Sequence, residues 1–272
     1  MNLSRFIQIL KIKRQFKDYF SLSEKTLKIS KKLVGVIENK WENFSPGAER
    51  LCIALFIQTI RLLEAITILC KKGFDEEATI LTRSLVENTA YLIFVSEKDS
   101  EQRAELYMHS RALSEASAVK EFNSIVPKGE EKVDENFYLE RKKEAIKYFR
   151  TKYGETITED DIKKKYALRP RNAAEQLEGE IKEMYVSTYK LFYRPASSIT
   201  HSEDPLIFLE YKNNRLNLSK WSKGKTTKIC LQTTALFTLC SMDNLSNLLK
   251  ITIALNVNSI LDDLFSLIQK TV

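Results

Sequence analysis

The sequence predicts an all-α fold, a multi-helix bundle around a central antiparallel helical hairpin. Three observations lead there. Glycine and proline are scarce, 7 and 5 in 272 residues, which denies an all-β chain its turns and favours long, unbroken helices. Residues 48–72 are almost continuously apolar (LCIALFIQTIRLLEAITILC at their centre), as a heavily buried helix would be. Gly73 then stands where a helix stops, after Lys71 and Lys72, and a second apolar run opens on Asp75, Glu76 and Glu77 and continues to about Glu97. Cations at a helix C-terminus and acids at the next N-terminus complement the two dipoles. So short a link makes the pair antiparallel.

The remaining elements follow in order. Residues 4–20 space Phe6, Ile7, Ile9, Leu10, Phe16 and Phe20 as a basic amphipathic helix. Such a helix ordinarily faces a core; contact with a membrane surface or a partner is the other reading. A second helix is expected over 23–39, with Ser21 or Ser23 as its N-cap. Ser45-Pro46-Gly47 breaks the chain, Ser45 suited to cap and Pro46 to the first helical turn. Asp99-Ser100 caps a helix over 100–124. Residues 126–132 are a loop, and 134–153 a highly charged helix with a narrow apolar stripe, ended by Gly154. Residues 155–168 are polar and contain Lys163-Lys164-Lys165. One helical domain over 1–272 is expected, with N-terminal helices in 1–45 and a charged peripheral insertion over 126–170. Arg169-Pro170-Arg171 reads as a turn, with Asn172 capping a helix from Ala173 to about Phe192 that is weakest at Gly179. LIFLEY and RLNLS flank Lys212-Asn213-Asn214 as a short β-hairpin or extended loop near 206–218. A long apolar helix over 227–255 and an amphipathic one over 259–269 complete the chain.

Composition bounds the function. The net charge of +7 comes from 43 Lys and Arg against 36 Asp and Glu, a balance that mildly favours anionic partners. Cys52, Cys70, Cys230 and Cys240 form no CxxC pair and sit in apolar runs. They read as buried free thiols in a reducing compartment. With two histidines, neither near a cysteine pair, no zinc site or other metal is expected, and no cofactor. The first residues are too charged for a secretory signal. No charge-free apolar run of about 18 residues marks a membrane span. A cytoplasmic location is the expectation.

The stretch that concentrates chemistry is YKLFYRPASSITHSEDP, residues 189–205. It holds Arg194, followed by Pro195, then Ser197, Ser198 and, seven residues after the arginine, His201. Pro195 suits the first turn of a new helix. Arg194 and His201 are then two turns apart on one side, with Ser197 between them. Helix N–H groups, an arginine and hydroxyls make a phosphate site, and a histidine beside it can move a proton near neutral pH. Such a set suits RNA cleavage without metal: His201 as base or acid on the ribose 2′-OH or the leaving 5′-oxygen, Arg194 against charge on the phosphate. The structural alternative is that these side chains bridge helices, with His201 bonded to Glu87 or Asp204.

Four further residues, on two helices, are supporting candidates. Arg83 and Glu87 are four apart on one helical face among apolar neighbours, so they form either a structural ion pair or one facing a cleft. Tyr107 and Arg111 share a face of the following helix. His109 lies on another face of it, where a solvated or locally bonded histidine is the ordinary reading.

Over residues 50–255 the chain resembles a widespread group of bacterial helical proteins of unknown function. They carry an Arg-x-Leu-x-Glu helix, a Tyr/Arg helix and a late Tyr-x-x-x-Tyr…Ser…His segment. The matching residues are Arg83, Leu85, Glu87, Tyr107, Arg111, Tyr189, Tyr193, Ser197 and His201. Arg194-x6-His201 also resembles, more distantly, the Arg-x(4–6)-His signature of HEPN nucleases, although Pro195 stands where those carry a polar residue. That resemblance implies a helical, often dimeric ribonuclease of toxin–antitoxin or phage-defence systems. RNA, a homodimer partner and an antitoxin or defence protein are then the expected partners. The expectation is that Arg83, Glu87, Tyr107, Arg111, Tyr193, Arg194 and His201 share one cleft. The alternative function is a non-catalytic module that binds a nucleotide, nucleic acid or protein through the same cleft.

Overall fold

A computed structural model describes residues 3–127, 130–200, 210–212, 215–217 and 226–251, together with 260, 262, 263 and 266. The helices are α1 (Leu3–Gln15), α2 (Lys17–Glu38), α3 (Ala48–Lys72), α4 (Asp75–Glu97), α5 (Ser100–Ile125), α6 (Glu135–Tyr153), the single turn α7 (Glu159–Asp161), α8 (Pro170–Glu175), α9 (Gly179–Thr200) and α10 (Thr227–Leu248). The described strands are β1 (Glu210–Lys212) and β2 (Arg215–Asn217), an antiparallel hairpin with Tyr211 opposite Leu216. The all-α multi-helix class is as the sequence predicts.

The α3–α4 hairpin is the centre. Gly73 closes it in the left-handed region at φ +77°. Its N–H reaches the Cys70 carbonyl and the Phe74 N–H reaches that of Leu69, satisfying carbonyls that the end of α3 would leave unpaired. Between the two helices Asn88 is buried and donates to the Leu55 carbonyl (2.6 Å) and to Thr59 Oγ1 (2.8 Å). α4 is enclosed by α3, α5, α8, α9 and α10. The large core side chains Phe56, Phe94, Tyr185 and Phe237 are almost wholly removed from water. Asp75 is not simply a dipole-complementing acid. It is buried, and its Oδ2 accepts from the Thr226 N–H (3.0 Å) and hydroxyl (3.1 Å), which ties the start of α4 to the start of α10.

The charged middle of the chain has a small core of its own, Ala112, Leu113, Ala145, Phe149 and Ile162. Leu106 touches both this cluster and the main one. Ser110 Oγ accepts the Leu168 N–H (2.8 Å), anchoring the returning chain on α5.

Several expected boundaries move. The N-terminal break falls at Phe16, not at Ser21 or Ser23; both serines lie inside α2. Phe16 leaves helical geometry (φ −109°, ψ 25°) and is buried together with Ile12, Tyr19 and Phe20, so burial of an aromatic cluster sets the bend. Neither Ser45 nor Asp99 caps through its side chain. The first N–H of α3, that of Ala48, instead donates to the Glu101 carboxylate (3.2 Å), a cap supplied from α5. Arg169-Pro170-Arg171 is a helix start with Pro170 at the first position, since its missing N–H costs nothing there. Gly179, at φ +58°, is a true break, and α9 begins there. α9 then runs through Pro195 to Thr200, so Pro195 opens no new helix. α10 stops at Leu248 rather than 255, with Lys250 at φ +51°. Of the expected final helix, the described residues 260, 262, 263 and 266 are helical.

Among the described residues one helix, α3, is long and apolar enough to cross a membrane by length and composition, and half of its most apolar window is buried against other helices.

Candidate functional site

A cleft of about 1070 Å³ opens between α4, α8 and α9. α4 supplies Arg83 and Glu87, α9 supplies Val186 and Lys190, and Arg169 to Asn172 with Ala174 and Glu175 form the facing wall. Ligand pockets run to about 300–1,000 Å³, so this one has room for a nucleotide-sized molecule.

Four cations line the cleft, Arg83, Arg169, Arg171 and Lys190, against two carboxylates. Each carboxylate already has an arginine: Glu87 Oε1 lies 2.8 Å from Arg83 Nε, and Glu175 Oε1 lies 2.7 Å from Arg171 Nε. Both pairs are i,i+4 on their helices. Arg169 donates to the Lys163 carbonyl (2.9 Å), a neutral group. Neither Arg169 nor Lys190 has a carboxylate partner among the described residues. Among the described residues, the charge left over in the cleft is therefore positive.

The expected site residues divide. Arg83 and Glu87 line the cleft, their side chains only 25 % and 23 % exposed. Tyr107 and Arg111 are not among its lining residues. Tyr107 stands edge-on to Tyr91 (5.0 Å between ring centres), one turn beyond Glu87 on α4. Its hydroxyl pKa is raised, first by burial and then by Glu115, against a lowering from Arg111. Arg111 is exposed and lies 3.7 Å from Glu115, which also holds Arg141 of α6 at 2.9 Å. Arg111 is thus tied to the α5–α6 contact. Tyr189, Tyr193, Arg194, Ser197 and Ser198 belong to α9 by backbone, but their side chains lie outside the described residues, as does His201 altogether. In helical register Arg194 is one turn beyond Lys190, and Ser197 two turns beyond it.

His109 is stacked on Tyr148 (4.3 Å between centres), and burial lowers its pKa despite Glu105 and Glu144. The lysine run 163–165 is neutralised locally: Lys163, Lys164 and Lys165 pair with Glu159, Asp160 and Asp161. Burial pushes the Cys52 thiol up to about 12 and that of Cys240 to about 11, so both are protonated at neutral pH and poor nucleophiles. Sequence reasoning missed Arg169, Arg171 and Lys190. The available signal was two arginines flanking a proline, and a lysine one turn before Arg194 on a shared helical register.

Fold and site together define an all-helical protein with a polar, cation-rich cleft beside its central hairpin. The model of a family of unknown function, DUF5677, matches residues 49–214, and the chain belongs to that family. The match takes in the hairpin from residue 49, the described lining residues of the cleft and the 189–205 stretch, but ends well before the 255 that the resemblance suggested. No curated protein and no solved structure matches the chain.

Proposed function

We propose that the α4–α8–α9 cleft binds the phosphates of RNA or of a nucleotide. The carrying observation is the surplus of cations among the described residues there: Arg169 and Lys190 face a cleft whose two described carboxylates are held by Arg83 and Arg171. Arginine supplies planar, bidentate donors to phosphate, and lysine a point charge. In fluorescence anisotropy with a labelled single-stranded RNA, Arg169→Ala and Lys190→Ala should each weaken binding severalfold and lessen its salt dependence. Unchanged affinity in both variants would sink the reading.

A catalytic extension rests on the register of α9. Arg194 lies one turn past Lys190, and His201 follows Thr200 directly. On this reading the protein is a HEPN-like, metal-independent endoribonuclease, a toxin or phage-defence effector by the same resemblance. Phosphate held in the cleft would bring the scissile bond to Arg194 for charge stabilisation and to His201 for proton transfer. Wild type should then cleave total RNA in EDTA, and His201→Ala should bind RNA but not cleave it. Binding by both proteins with cleavage by neither selects the non-catalytic module.

A further inference from the structure

α1 presents an outward face that joins apolar side chains to cations. Ile12 and Phe16 turn into the core, Ile12 lying so close to the α3–α4 turn that a Cβ added at Gly73 would stand 3.4 Å from its Cδ1. The opposite side carries Ile7 and Leu10, 44 % and 49 % exposed. With 100° per residue, Lys11 and Arg14 fall on that same side, directly flanking the two apolar side chains. Lys11, Lys13, Arg14 and Lys17 are all exposed, and none has an ion-pair partner among the described residues. The first 17 residues hold five cations, Arg5 included, and no acid; Asp18 is the first acidic residue. This differs from the lysines of 163–165, each of which is paired.

We infer that α1 is a peripheral membrane contact, seating its Ile7–Leu10 face on an anionic phospholipid surface. Apolar side chains would enter the boundary between headgroups and acyl chains, while Lys11 and Arg14 reach the lipid phosphates along their aliphatic stems. Charge complementarity selects this occupant. Negatively charged headgroups attract a cluster of this kind, each cation near the surface contributing about fivefold in affinity. Apolar residues at its centre are what a lipid surface uses and a purely electrostatic partner does not.

The test is co-sedimentation of the full chain with vesicles of phosphatidylcholine alone and with phosphatidylglycerol added. Binding only to the anionic vesicles is expected. Lys11→Glu with Arg14→Glu should weaken it about 25-fold or more, from two cations at about fivefold each. Ile7→Asp with Leu10→Asp should weaken it comparably while circular dichroism stays unchanged, since both positions are exposed. Failure to sediment with anionic vesicles overturns the proposal. So does binding that persists in the Ile7/Leu10 variant, or an α1 that binds RNA with no dependence on Ile7 and Leu10; either would mark the helix as a charge-only contact.

Discussion

At the scale of single residues, the most informative groups are polar ones that the sequence could not distinguish from surface. Asp75 and Glu76 open α4 and read equally as dipole-complementing acids. The structure separates them. Asp75 is buried on Thr226, and burial, then the charge of Asp75, raises the Glu76 pKa from its ordinary 4.5 to about 7. A carboxyl whose folded pKa is raised favours the folded state fully below its unfolded pKa, and that contribution is lost as pH rises through the folded value. The loss therefore falls between about 4.5 and 7. Glu76→Gln should raise the melting temperature at pH 8, leave it nearly unchanged at pH 4 and flatten the stability profile between; an unaltered profile would refute this. Asn88 makes a second case. Its amide satisfies the Leu55 carbonyl and Thr59 inside the hairpin, so Asn88→Ala should cost about 1–3 kcal/mol in urea unfolding.

At the scale of elements, hydropathy and punctuation resolved the hairpin, because α3 and α4 owe their limits to local causes: a left-handed glycine, terminal charges and an apolar run. Elements whose limits depend on distant partners were misjudged. The break at Phe16 follows from a buried aromatic cluster, and the α3 cap comes from Glu101, 53 residues away in sequence. No local pattern announces either. Gly47 shows how close that cap approaches: a Cβ there would stand 1.9 Å from a Glu101 carboxylate oxygen. Gly47→Ala should displace the cap and cost about 1 kcal/mol, the usual worth of a lost N-cap; thermal unfolding beside Glu101→Ala checks it, and the two changes should be less than additive. Pro195 misled for a related reason. Its ring forbids a hydrogen bond to the carbonyl four residues back, which reads as a helix boundary, yet α9 runs through it to Thr200.

At the scale of the whole molecule, two hydrophobic clusters meet at Leu106. The largest fully buried side chain in the smaller one is Phe149. Phe149→Ala should cost about 3–5 kcal/mol locally. Amide hydrogen exchange should then show residues 135–166 losing protection while α3 and α4 keep theirs; loss across both would contradict two separable clusters. The candidate site belongs to this scale too. Arg83 and Glu87 were legible as an i,i+4 pair on an apolar helix. Arg169, Arg171 and Lys190 join them only because α8 and α9 fold back against α4, which no spacing in the sequence encodes. Tyr107 and Arg111 share a motif with Arg83 but are drawn toward Tyr91 and α6 instead.

On the proposed function, the α4–α8–α9 cleft is where RNA or a nucleotide sits. The most direct measurement is ultraviolet crosslinking of the full chain to single-stranded RNA, with the crosslinked peptides identified by mass spectrometry. Crosslinks concentrated in peptides from α4, α8 and α9, and lost in Arg169→Ala with Lys190→Ala, are the predicted result. Crosslinks confined to α1, or none above background, would contradict it.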